Sequence, residues 1–163
     1  MPSISEVTKD TRADKVSLRL GLNGATSTLL TSSRKIIINE NSNLLNILVI
    51  DCGIKNSQLR ALLKHNVQLT LVDSNYHFVD EVLDKKYDGI FLSNGPGDPA
   101  AVDKGIENIR FILEETKLPV LGICLGYQLL SLALGFKTFK LKFGHHGGNQ
   151  PVFFSDKNHL WFD

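Results

Sequence analysis

The stretch that most narrows what this chain can fold into is PVLGICLGYQLLSLALG, from Pro119 to Gly135. Pro119 to Ile123 is an apolar run of strand length, and Tyr127 to Leu134 has helical composition up to a glycine stop at Gly135. Between the two runs Gly122 and Gly126 bracket Cys124. The spacing predicts a sharp strand-to-helix turn with Cys124 at its tip. Such a turn needs glycines on both sides because the backbone at the tip is strained, and it lifts the side chain clear of the sheet. A thiol at a helix N-terminus meets the positive end of the macrodipole, which suits an anionic nucleophile. A single cysteine in an apolar strand is more often a small buried hydrophobe. The flanking glycines favour the nucleophile.

The rest of the chain supplies the sheet that such a turn needs. From Asn46 onward short apolar runs alternate with amphipathic stretches: strand Ile47–Ile50, a helix carrying Leu59, Leu62 and Leu63 with Asn56 or Ser57 as its cap, then strand Val67–Val72. A short helix Val79–Leu83, a strand Asp88–Ser93, a helix with Ile106, Ile109 and Leu113, and a central strand ending at Cys124 follow. Lys137–Leu141 is a further candidate strand. Strand alternating with helix at this pitch predicts an α/β fold, a doubly wound, mostly parallel sheet with helices on both faces. Ligands then bind at the carboxyl ends of the strands. Residues 1–44 show no sustained periodicity and read as an N-terminal tail or linker in which only Lys35–Ile38 has the pattern of a strand. The domain is expected over 45–152 and a divergent C-terminal tail over 153–163.

Composition bears on what the domain meets. Eighteen basic side chains against 17 acidic ones leave a net charge of +1, without the electrostatic footprint of a nucleic-acid or anionic-membrane binder. No run approaches the roughly 18 apolar residues of a membrane span. Two cysteines, Cys52 and Cys124, without an apolar signal segment fit reduced thiols in the cytoplasm. Serine, threonine, Arg12 and Arg19 in the first 35 residues hint at an organellar transit peptide, but Glu6, Asp10 and Asp14 oppose it. His145 and His146 are adjacent, and neighbours at that spacing rarely converge on one ion, so no metal is expected.

GICLGYQ, Gly122 to Gln128, resembles the nucleophile motif of the class I glutamine amidotransferases. LSNGPGDP, Leu92 to Pro99, resembles that family's oxyanion-strand loop. LKFGHHGGNQPV, Leu141 to Val152, resembles a segment of the glutaminase subunit of carbamoyl-phosphate synthetase. The glutaminases of anthranilate and GMP synthases do not share that segment. The likeness runs from about Asn46 to Val152 and implies a flavodoxin-like amidotransferase domain, incomplete at its C-terminus. It implies Cys124 as nucleophile, the backbone amides of Gly95 and Leu125 as oxyanion hole, and Gly95, Gly97, Leu125 and Gln128 as glutamine-binding residues. Gly95 has no Cβ to obstruct its amide, and Pro96 stiffens the loop. Gln128 lies one helical turn beyond Cys124, where its amide can hold the substrate. A plain turn and a solvated helix position are the bland alternatives for the two.

The implied reaction is hydrolysis of L-glutamine through a cysteine thioester, supplying ammonia to a carbamoyl-phosphate synthetase large subunit or synthetase domain, in pyrimidine or arginine synthesis. No cofactor belongs to this chain, since ATP and magnesium would belong to the synthetase partner. The family also uses a histidine and a carboxylate, expected here beyond Asp163, and places an N-terminal domain that residues 1–44 do not resemble. A truncated chain that hydrolyses glutamine poorly on its own is therefore expected. His159 is the one histidine in the divergent tail that could stand in, although Leu160 and Trp161 follow it where the family has glycine. Two other functions compete: a different class I amidotransferase or cysteine hydrolase on the same sheet, and a catalytically silent regulatory or interaction module.

Overall fold

The computed structural model describes residues 35–84 and 86–144, together with the backbone of 151–154 and 159–162. Five strands form one sheet: β1 (Lys35–Ile38), β2 (Asn46–Asp51), β3 (Gln68–Asp73), β4 (Gly89–Leu92) and β5 (Val120–Gly122), in the order β1-β3-β2-β4-β5. All neighbours run parallel except β1, which is antiparallel to β3 with Lys35 opposite Val72. Among the described residues three α-helices connect the strands, α1 (Asn56–Leu63), α2 (Val79–Leu83) and α3 (Asp103–Glu115), and a fourth, α4 (Leu125–Ala133), follows β5. Pro151–Phe154 (β6) and His159–Phe162 (β7) pair as a separate antiparallel ladder. The doubly wound, mostly parallel α/β fold expected from the alternating pattern is the one observed.

Side chains alternate across a strand, and each parity on the central strands meets its own layer of helix. Leu48 and Ile50 of β2 and Ile90 and Leu92 of β4 pack with Val82, Ile112 and Leu129 of the helices on one face. Val49, Leu69, Leu71 and Phe91 point the other way and pack with Leu59 of α1, which is 1% exposed. This is why β2 and β4 read as unbroken apolar runs. On α3 the core positions are Ile109 and Ile112, with Ile106 and Leu113 at its margin. The guanidinium of Arg110 donates to the carbonyls of Ala133 and Leu132, tying α3 to the C-terminal end of α4, where a cation is favoured.

β1 is held by charge as well as by its ladder. Lys35 forms an ion pair with Glu81 of α2, and the Glu81 carboxylate also accepts hydrogen bonds from the hydroxyls of Tyr76 and Tyr87, the latter at 2.6 Å. Burial alone would raise the Glu81 carboxyl, but those three donors and the Lys35 charge outweigh it and hold it at about 2. The sheet thus begins at Lys35, ahead of the boundary expected at residue 45.

Four further expectations are corrected. β5 is an edge strand among the described residues, not a central one, and Leu121 is 58% exposed on it. Among the described residues no strand forms over Lys137–Leu141, and Phe139 is 82% exposed there. Neither Asn56 nor Ser57 caps α1, whose N-cap is Lys55 without a side-chain bond. The entry into α1 is set instead by Asp51, whose carboxylate accepts from the amides of Gly53 and Ile54 at 2.8 and 2.9 Å. The boundary expected after Val152 falls inside β6. His145 and His146, on which the metal alternative rested, lie outside the described residues. No helix among the described residues is long and apolar enough to cross a membrane.

Candidate active site

The turn after β5 is the strained elbow that its glycines predict. Cys124 is exposed, forms the N-cap of α4, and has φ 54° and ψ −110°. Left-handed backbone of this kind is unusual for a residue with a Cβ and costs about 1–3 kcal/mol. It persists because the flanks are locked. The Ile123 amide donates to the Leu92 carbonyl at 3.0 Å, and the Gly126 amide is shared between the carbonyls of Ser93 and Ile123, each at 3.0 Å. Gly126 lies so close to β4 that a Cβ there would stand 2.1 Å from the Leu92 carbonyl oxygen. One on Gly122 would stand 2.7 Å from the backbone of Gly126.

The second piece is the loop after β4. Leu92 and Gly122 are register partners in the parallel β4–β5 ladder, so the Asn94–Gly97 loop and the elbow leave neighbouring strands at the same, carboxyl end. Gly95 is pressed against the loop after β2: a Cβ on it would lie 2.0 Å from the Cys52 carbonyl oxygen. No side chain fits there. Gly97 is exposed at φ 108°. Leu125 is buried in the first turn of α4, and Gln128 is exposed one turn on, its amide donating to the Cys124 carbonyl at 3.1 Å. The fold therefore brings Gly95, Gly97, Cys124, Leu125 and Gln128 to one end of two adjacent strands.

Cys52 differs from Cys124. It is half-buried. Burial first, then the nearby charges of Asp51 and Asp73, push its thiol up to about 11, so it stays protonated at neutral pH. The described histidine side chains are remote from the elbow. His65 is exposed just after α1, at the amino end of the sheet, and His77 follows β3, three strand positions from β5. His159 lies in β7.

Sequence reasoning passed over Ser93. It is fully buried at 0% exposure; its hydroxyl accepts from the Cys52 amide at 2.9 Å and donates to the Asn94 carbonyl at 2.8 Å. A polar residue closing the apolar run of β4 was the available signal.

Comparisons with known proteins place the chain in a family. The profile described as Glutamine amidotransferase class-I matches residues 48–162, through the stretch expected to depart from the family. The carbamoyl phosphate synthase small chain of Archaeoglobus fulgidus is 50% identical over 123 residues, covering 71% of this chain and 34% of the relative. That of Escherichia coli (strain K12) is 52% identical over 112 residues, covering 69% and 29%. The one from Oryza sativa subsp. japonica, named chloroplastic, is 51% identical over 106 residues, covering 65% and 23%. The chain spans about a quarter to a third of the length of these relatives. Among solved structures, one described as a GMP synthase component from Thermoplasma acidophilum superposes with a TM-score of 0.57 at 24% identity, over 72% of this chain and 59% of that one, a likeness of fold alone. With the family profile matching residues 48–162, more than half of its length, the chain belongs to the class-I glutamine amidotransferase family.

Proposed function

We propose that the chain carries the nucleophile and oxyanion part of the glutaminase of a carbamoyl-phosphate synthetase. The observation that carries this reading is the exposed thiol of Cys124 on a strained elbow beside the Gly95 loop, at the ends of paired parallel strands. The names of the relatives supply the enzyme. The Cys124 sulfur attacks the side-chain amide carbon of glutamine, and the oxygen takes up negative charge between the N–H groups of Gly95 and Leu125. Each such donor contributes about 3 kcal/mol in comparable hydrolases. The C–N bond then breaks as the nitrogen takes up the proton that the Cys124 thiol gave up and leaves as ammonia, and water cleaves the thioester to glutamate and free thiol. Gln128 and Gly97 hold the substrate. Ammonia passes to a cytoplasmic synthetase partner, which holds the ATP and magnesium.

A second reading, a catalytically silent module, is favoured by one observation: among the described residues no histidine side chain is near Cys124. Losing a positioned acid–base typically costs about 10²–10⁴ in rate. The chain alone is thus expected to release glutamate near background, with His159→Ala without effect. Robust release abolished by His159→Ala would make His159 the base. With a synthetase partner present, the amide ¹⁵N of glutamine should reach carbamoyl phosphate from the wild-type chain and not from Cys124→Ala. No transfer, with Cys124 still modified by a glutamine analogue, would favour the silent module.

A further inference from the structure

The oxyanion loop needs something to set the direction of its donor, and the structure assigns that task to Ser93. We propose that Ser93 is a positioning residue, whose hydroxyl grips the Asn94 carbonyl and so turns the Gly95 N–H of the same peptide toward the Cys124 elbow. This role rests on the glutaminase reading above.

The peptide bond between Asn94 and Gly95 is trans, so its C=O and N–H point in opposite directions. The Asn94 oxygen is held on the β2 side of β4. It accepts from the Ser93 hydroxyl at 2.8 Å, and that hydroxyl in turn accepts from the Cys52 amide in the loop after β2 at 2.9 Å. The same carbonyl oxygen lies 3.8 Å from where a Cβ on Gly53 would stand. The Gly95 N–H therefore faces away from β2. In the order β2-β4-β5, that is the side on which β5 and the elbow lie.

The hydroxyl is well suited to the role. A serine offers one donor and two acceptor positions; here the hydroxyl donates to the Asn94 carbonyl and the Cys52 amide fills an acceptor, with the Cys52 side chain also within its hydrogen-bonding reach. Being fully buried, the hydroxyl has no water to replace either bond. The main chain of Ser93 extends the linkage in both directions: its amide donates to the Ile50 carbonyl at 3.1 Å, and its carbonyl accepts from Gly126 at 3.0 Å. One residue thus joins the β2 end, the oxyanion loop and the first turn of the nucleophile helix. The Asn94 side chain adds longer bonds of 3.4 Å to the Gly53 carbonyl and the Lys55 amide. These fix the loop's position but not the tilt of the Asn94–Gly95 peptide.

The test separates orientation of the donor from general stability. Cys124 is labelled with a γ-chloroketone analogue of glutamine, where sulfur displaces chloride while the ketone oxygen occupies the oxyanion position. It is labelled separately with methyl methanethiosulfonate, which has no carbonyl, and both sites are mapped by mass spectrometry. In Ser93→Ala the chloroketone rate should fall at least about tenfold, since complete loss of an oxyanion donor costs about 10²–10³. The methanethiosulfonate rate should stay within about twofold, whereas loosening of the fold would change both rates together. Ser93→Cys, close in volume but a weak donor, should show the same split if the alanine variant does not fold. Ser93→Thr, which keeps the hydroxyl, should restore the wild-type ratio. A wild-type ratio in the alanine or cysteine variant overturns the proposal while leaving the glutaminase reading intact. A wild-type chain that shows no preference for the glutamine analogue overturns that reading, and the proposal with it.

Discussion

Replacing Cys124 by glycine should leave a more stable protein than replacing it by alanine, although alanine is the usual choice for removing a thiol. Both variants lose the sulfur. Only alanine keeps a Cβ at φ 54° and ψ −110°, and so keeps a strain of about 1–3 kcal/mol. Glycine relieves it but loses about 0.4–1 kcal/mol through the greater freedom of its unfolded chain. Cys124 is also the N-cap of α4 and makes no side-chain cap bond. Glycine at an N-cap is better than alanine by a few tenths to about 1 kcal/mol. The balance favours glycine by about 2 kcal/mol, or roughly 6 °C in melting temperature for a domain of this size. Urea denaturation of the two variants, with equal m-values as the check on two-state unfolding, measures the difference directly. An alanine variant as stable as the glycine one, or more so, would falsify the claim that the elbow stores strain.

Two further predictions concern the framework. Glu81→Gln should cost about 2 kcal/mol at pH 7, because the bonds lost involve a charged acceptor. The Glu81 carboxyl sits at about 2 in the folded state against an ordinary 4.5. The stability it contributes is therefore fully present above about pH 4.5 and is lost as the pH falls toward 2. Wild type and Glu81→Gln should converge over that window in acid titrations of stability, and a gap unchanged down to pH 2 would count against the assignment. Gly126→Ala should destabilise by about 2–3 kcal/mol, as overpacking against an unyielding backbone does, despite the roughly 1 kcal/mol that alanine gains over glycine inside a helix. The added Cβ meets the Leu92 carbonyl at 2.1 Å, and a stabilised variant would show that α4 can move away from β4 at little cost.

How much of this was legible in the sequence follows from the range over which each feature is decided. Local patterns carried the sheet and helices. The apolar run Ile47–Ile50 and the spacing of Leu59, Leu62 and Leu63 act within a few residues, and they are found where expected. The elbow was legible because Gly122 and Gly126 record a close approach in the sequence itself. Features set by distant partners were not. Whether Val120–Gly122 is central or at an edge, and whether Lys137–Leu141 pairs at all, depends on which strands lie alongside. Lys35–Ile38 had the pattern of a strand, but its place in the sheet could not be read because the carboxylate that holds it, Glu81, is 46 residues away. Ser93 stood out only as a polar residue closing an apolar run, since a buried hydroxyl takes its meaning from the carbonyl and amide that the fold brings to it. The α1 cap was missed because the Asp51 turn had already fixed the helix entry.

The most direct test of the central claim is competition for the two thiols. The wild-type chain is treated briefly at neutral pH with the γ-chloroketone analogue of glutamine, with and without free glutamine, and the modified peptides are mapped. The exposed elbow thiol of Cys124 should take nearly all of the label and be protected by glutamine, while Cys52, half-buried and held up to about 11, stays unmodified. Equal labelling of both cysteines, preference for Cys52, or labelling of Cys124 that glutamine does not slow would contradict a glutamine site built around Cys124.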